Sequence, residues 1–185
     1  MSVAHSVPSH EFSAGRARPV AAIVYPNEVY PDAVFRSLVR GGLARGLSLA
    51  GVLQHQAIAD GDRRCDVVLE DLATGYRTAL FENRGLGARG CRLDEAALAE
   101  ATARVEGSLE HAPQLLVLNK FGKVECEGGG LRDLIASAID RGISVVIGVP
   151  ERNLDAWRSF AGEFAIELRD DVGQVTEWLD WVSGA

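Results

Sequence analysis

Short apolar runs alternate along the chain with segments whose apolar residues recur every three or four positions. That alternation is the signature of buried strands separated by amphipathic helices. Val20 to Tyr25 is a continuous apolar run of strand length, stopped by Pro26 and Asn27. Pro31 and Asp32 then mark a helix start, and Val34, Phe35, Leu38, Val39 and Leu43 keep a helical period over Ala33 to Arg45 before Gly46. Leu47 to Gln54 predicts a second strand. Beyond the turn residues Ala59 to Asp62, Cys65 to Leu72 and Tyr76 to Phe81 flank Ala73-Thr74-Gly75 and predict a β-hairpin. Asp94 is suited to cap a helix over Glu95 to Glu110. Gln114 to Leu118 reads as a strand, Asn119 to Gly130 as a polar glycine-rich loop, and Leu131 to Arg141 as a helix ended by Gly142. Ile143 to Val149 is a further buried strand, closed by Pro150. Helices around Asn153 to Phe160 and Val172 to Val182 follow, with a strand near Phe164 to Leu168 between them.

Strands joined through helices require crossover connections, so the pattern predicts a three-layer α/β fold with a mostly parallel sheet covered on both faces and one inserted hairpin. A chain of 185 residues with 47% hydrophobic content suits one such domain, expected over residues 20–185. Met1 to Pro19 shows neither hydrophobic period and is expected to be a flexible arm. The net charge of -7 argues against a general affinity for nucleic acid or anionic membranes. No apolar run reaches the roughly 20 residues of a membrane span, and no secretory signal pattern opens the chain, so a cytoplasmic protein without membrane insertion is expected. Cys65, Cys91 and Cys126 are far apart and read as reduced thiols. The histidines, His5, His10, His55 and His111, are scattered and offer no metal-ligand spacing.

In parallel sheets of this kind ligands bind beyond the carboxyl ends of the strands, which directs attention to three loops. The first, Tyr25 to Asp32, sits where a phosphate-binding loop would, but G-x-x-x-x-G-K-[ST] is absent. Two prolines remove backbone donors, while Glu28 and Asp32 add negative charge; the alternative is a structural turn with Asp32 as helix N-cap. The second loop, Asn83 to Arg92, mixes arginines with glycines, so Arg84, Arg89 and Arg92 with the Gly90 N–H suit an oxyanion. An exposed loop with surface ion pairs is the other reading. Cys91 between Arg89 and Arg92 is either a thiol of lowered pKa or a small packed hydrophobe.

The third loop is Asn119-Lys120-Phe121-Gly122-Lys123-Val124-Glu125-Cys126-Glu127-Gly128-Gly129-Gly130. Asn119 and Lys120 stand where a magnesium-holding carboxylate would follow a buried strand. Lys120 and Lys123 suit neutralisation of an anion, the Gly122 N–H suits donation to it, and Glu125 suits orientation of the lysines or ligation of a hard cation. Trp157, Trp178 and Trp181, with Phe160, are either core or an interface through which a homo-oligomer or another protein is held.

The motifs Gly51-Val52-Leu53-Gln54, Asp71-Leu72-Ala73-Thr74-Gly75, Gly90-Cys91-Arg92-Leu93-Asp94 and Asn119 to Glu125 together resemble the bacterial family "domain of unknown function 2478" over nearly all of Val20 to Trp181. The resemblance implies an association with molybdenum metabolism and hence with molybdate or a related oxyanion. The order of elements also resembles the thermostable nucleoside-triphosphatase branch of P-loop proteins, with Thr74-Gly75 matching the hairpin turn and Gly122-Lys123-Val124-Glu125 a later segment. That implies a P-loop-NTPase-like fold with a degenerate phosphate loop. The expected function is oxyanion binding without conventional triphosphatase chemistry, the bound species being a small anion such as molybdate. Two alternatives stand beside it: a magnesium-dependent nucleotide phosphohydrolase using Glu125, and an adaptor using the C-terminal aromatic face around Trp181.

Overall fold

The computed structural model describes residues 20–27, 29–56, 67–81 and 93–184. The expected flexible arm lies outside them. Seven strands form one sheet: β1 (Val20–Tyr25), β2 (Leu49–Gln56), β3 (Val67–Asp71), β4 (Arg77–Ala79), β5 (Leu115–Lys120), β6 (Ser144–Pro150) and β7 (Ala165–Arg169). Their spatial order is β4-β3-β2-β5-β6-β1-β7. The strands β2, β5, β6, β1 and β7 run parallel, whereas β3 and β4 add to the β2 edge as the antiparallel hairpin read from the sequence. Six helices complete the layers: α1 (Asp32–Ala44), α2 (Glu95–Ser108), α3 (Lys123–Cys126), α4 (Arg132–Asp140), α5 (Leu154–Ala161) and α6 (Val172–Ser183).

The longest apolar runs take the centre of the sheet because both of their faces must be covered. Every residue of β6 is buried, and β1 is buried except for a half-covered Val24. On one face Val34, Phe35, Leu38 and Val39 of α1 pack with Val175, Trp178 and Leu179 of α6 against Ile23, Val117 and Val146. On the other, Val105 of α2, Leu134, Ile135 and Ala138 of α4 and Trp157 of α5 cover Ala22, Leu116, Leu118 and Ile147. The result is the expected three-layer α/β arrangement. Among the described residues no helix is long and apolar enough to cross a membrane.

Two local expectations are corrected. Asp32 does not cap α1: it is the first helical residue, Pro31 holds the cap position, and no side chain bonds the helix start. Asp94, by contrast, caps α2 as read, its Oδ1 accepting from the Ala97 N–H at 2.9 Å. Second, the segment from Asn119 to Gly130 is not all loop. Asn119 and Lys120 continue β5, Lys120 pairing with Gly148 of β6 after a register shift that leaves Asn119 without a partner in β6, and Lys123–Cys126 forms one helical turn. Of the two readings of the C-terminal tryptophans, core is the one that holds for Trp157 and Trp178. Trp157 and Trp178 are fully buried on opposite faces of the sheet, and Trp181 is half-buried, because the large rings fill both cores.

Candidate functional site

The carboxyl edge of the parallel strands gathers the turns after β1, β5 and β6. From β1 the chain turns into α1 on one face; from β6 it turns into α5 on the other. Divergence of two neighbouring strands to opposite faces opens a crevice between their ends, the usual place for a ligand in open α/β sheets. Here the crevice is bridged. The Arg152 backbone N–H donates to Asn27 Oδ1 at 2.7 Å, and Arg152 Nη1 donates to the Asn27 carbonyl at 3.0 Å. Asn153 Nδ2 reaches the other way to the Phe121 carbonyl at 2.8 Å, and the Phe121 N–H donates to the Gly148 carbonyl at 2.8 Å. Gly148 has no substitute at this junction: a Cβ there would lie 2.6 Å from the Asn119 carbonyl oxygen and 3.2 Å from Tyr25 Cε1.

The turn after β1 is packed with aromatic rings. Tyr30 stacks on Phe35 at 5.2 Å between centroids and meets Tyr25 edge-on at 5.7 Å. The N–H groups of Val29, Asp32, Val34 and Phe35 donate to carbonyls of Pro26, Tyr30 and Pro31 within the same turn. A phosphate cradle needs such donors turned outward towards the ligand, and these four are spent on the chain itself. Burial pushes the Tyr25 hydroxyl up to about 12, against a lowering by the Arg152 charge. Burial likewise carries Tyr30 well above the usual tyrosine range. The Asp32 carboxyl is raised, chiefly by burial, although Arg36 and His55 pull it down. The Tyr30 hydroxyl and Asp32 Oδ1 are buried without hydrogen-bond partners.

The turn after β5 is built differently. Glu125 is buried, and both its oxygens serve the backbone: Oε2 accepts from the Gly122 N–H at 2.7 Å and Oε1 from the Leu131 N–H at 3.1 Å. It ties the two ends of the turn together. Gly130 admits this arrangement, since it takes φ +63° and a Cβ there would lie 2.0 Å from Glu125 Oε1. With Glu125 turned inward, Lys120 and Lys123 are left on the surface, Lys123 held only by a 3.6 Å contact to Glu127 in the same helical turn. Asn119 Oδ1 is buried without a partner.

Of the residues expected to bind an anion, Asn119, Lys120, Gly122, Lys123 and Glu125 therefore lie on one turn at the expected edge. Two of their expected roles are corrected. The Gly122 N–H is not open to a ligand, and Glu125 neither orients a lysine nor faces outward, because each satisfies the other in a short turn. Arg84, Arg89, Gly90, Cys91 and Arg92 lie outside the described residues. Asn27, Arg152 and Asn153 were not singled out by motif reading, and the available signal was position alone: Glu151-Arg152-Asn153 directly follows the most completely buried strand. Cys126 is a half-buried free thiol, and among the described residues no cluster of three or more His, Cys, Asp or Glu is placed to hold a metal.

Comparison with known proteins agrees with this geometry at the level of fold. Residues 20–178 match the family described as "Protein of unknown function (DUF2478)". The chain is 35% identical over 161 residues to a protein of Bradyrhizobium diazoefficiens named "Molybdenum import ATP-binding protein ModC 2"; the match covers 86% of this chain but spans 18% of that protein's length. The solution structure of a human cancer-related nucleoside triphosphatase superposes with a TM-score of 0.60 at 15% identity, covering 88% of this chain and 94% of the other. The crystal structure of THEP1 from Aquifex aeolicus gives 0.58 at 14% identity, covering 81% and 88%. These likenesses establish a P-loop-NTPase-like fold.

Proposed function

The chain belongs to the DUF2478 family, and from that premise we propose that it is a ligand-binding protein of P-loop-NTPase-like fold, without conventional triphosphatase chemistry, that takes a tetrahedral oxyanion of the molybdate class at the carboxyl edge of its sheet. One observation carries the reading. The turn after β1 spends four backbone donors, those of Val29, Asp32, Val34 and Phe35, on its own carbonyls and packs Tyr30 against Phe35, while the turn after β5 turns its carboxylate inward and leaves Lys120 and Lys123 at the edge. The first arrangement disfavours a triphosphate; the second favours a compact anion met by cationic side chains. The name of the Bradyrhizobium relative concerns molybdenum import, which supports molybdate over other oxyanions. Lys120 and Lys123 supply charge. Arg84, Arg89 and Arg92 were expected to join them, but the proposal rests on the lysines.

The competing nucleotide reading assigned Glu125 as base or magnesium ligand. Both its oxygens already accept backbone N–H groups, which favours a structural part for it. Thermal-shift and calorimetric titrations with molybdate, tungstate, sulfate, phosphate and ATP, each with and without magnesium, test the proposal, because a ligand of the native state raises the unfolding midpoint by mass action. Molybdate or tungstate should bind without magnesium, and Lys120→Ala should weaken binding about tenfold or more, the loss of one charged hydrogen bond. A magnesium-dependent response to ATP alone, or unchanged affinity in Lys120→Ala, would overturn it.

A further inference from the structure

We infer that Arg152 is the anion-orienting residue of this site, forming with Lys120 a two-cation clamp that flanks the end of β6, Lys120 from the β5 side and Arg152 from the β1 side; the inference deepens the oxyanion reading and rests on it. Lys120 ends β5 in register with Gly148 of β6, and Arg152 follows β6 by one short turn. Arg152 therefore leaves the sheet edge from the strand next to the one that ends in Lys120, about 4.8 Å away from it. The two segments that carry them are tied together, since Phe121, next to Lys120, donates its N–H to Gly148 and receives Asn153 on its carbonyl.

Arg152 itself is set in place by a neutral partner. Its backbone N–H and its Nη1 both bond Asn27, so the guanidinium is held at the β1–β6 crevice without its charge being cancelled. Other arginines of this acidic chain differ: Arg45, Arg77, Arg104 and Arg158 pair with Asp180, Glu70, Glu100 and Glu167. No ion pair joins Arg152 to a carboxylate among the described residues. Its field is nonetheless felt locally, since it lowers the Tyr25 hydroxyl against the effect of burial. Nε and Nη2 carry no bond to a described residue, and a guanidinium edge of that kind presents two parallel donors to two oxygens of a tetrahedral anion. Lys120 then adds a point charge from the neighbouring strand.

The geometry predicts a graded response. Titrating molybdate and tungstate into the full chain, Arg152→Gln should weaken binding about 10- to 100-fold, as for loss of a charge-assisted pair of hydrogen bonds. Arg152→Lys should keep the charge, lose the fork and fall between Arg152→Gln and the parent. Arg40→Gln removes the same charge from an exposed position on α1 and should leave affinity within about twofold. Circular dichroism and the unfolding midpoint of each variant confirm that the fold is retained. If the parent binds and Arg152→Gln binds within twofold of it, or Arg40→Gln falls as far as Arg152→Gln, the clamp is refuted while the oxyanion reading stands. If the parent binds neither anion, both fail together.

Discussion

The turns after β1 and β5 leave the same edge of the same sheet, yet they spend their polar groups in opposite ways. The β1 turn uses backbone to satisfy backbone and fills its interior with Tyr30, at the cost of a buried tyrosine hydroxyl and a buried carboxylate oxygen without partners. The β5 turn uses one buried carboxylate to satisfy two backbone donors and so frees its lysines. In the first, the unsatisfied groups lie inside and cost stability; in the second, the charged groups lie outside and cost little. One sheet edge can thus carry two turns of opposite polar economy without any change in the order or direction of its strands.

The comparison is broken most severely at Tyr30. Tyr30→Ala removes a ring stacked between Tyr25 and Phe35 and should destabilise the fold by about 3 to 5 kcal/mol, measured by denaturant unfolding. Tyr30→Phe keeps the ring and removes the unpartnered hydroxyl, so it should be neutral or slightly stabilising. A loss of stability in Tyr30→Phe equal to that in Tyr30→Ala would show that the hydroxyl is bonded after all and that the turn is not merely packed.

Next comes the carboxylate staple. Glu125→Gln replaces one accepting oxygen by an N–H₂ group facing a backbone N–H, whichever way the amide turns. The expected cost is about 2 to 3 kcal/mol, with oxyanion affinity changed only through the looser turn. A catalytic or metal-holding Glu125 would give the reverse, with stability intact and a magnesium-dependent activity lost. Unfolding midpoints and phosphate release from ATP, measured on the same preparations, separate the two.

How far the sequence carried this contrast depends on range. The strands β1 and β6 and the Asp94 cap follow from local periodicity and turn chemistry to within a residue, and the hairpin follows with shorter strands than read, Val67–Asp71 and Arg77–Ala79. Asn119, Lys120 and Glu125 were legible as a group because a charged, glycine-rich stretch follows an apolar strand. Their roles were not, because the pairing of Glu125 with the N–H groups of Gly122 and Leu131 depends on how the turn closes over Gly130. The Asn27–Arg152 bridge spans 125 positions in sequence, and no spacing rule reports a contact at that range. Asp32 was misread for a related reason: a polar residue after a proline resembles an N-cap, but the preceding Pro31 already carries the non-helical angles, so Asp32 falls inside the helix.

The two tyrosines make the contrast visible as a pH effect. A tyrosine whose folded pKa lies above its unfolded value adds stability that is fully present below the unfolded value and is lost as pH rises through the folded one. For Tyr25 the window runs from 10, its ordinary value, to about 12. Across it the folded state should lose stability from this group as the phenol ionises, and Tyr30 adds a loss of the same sign. Tyr25→Phe should flatten its part of that decline, read from denaturant midpoints between pH 9 and 12.

The smallest expected effect lies at Asp32, where the sign works the same way at the other end of the scale. Its folded pKa is raised above 3.8, so its contribution favours folding below that value and opposes it once the pH has risen through the folded pKa. Asp32→Asn should therefore raise the melting midpoint near neutral pH, and the gain should shrink as the pH is lowered towards 3.8. Arg36 and His55 limit its size by favouring the charged form. A midpoint that falls at neutral pH would mean that the attraction of the ionised Asp32 to Arg36 outweighs the cost of its burial, and the β1 turn would then be held by charge as well as by rings.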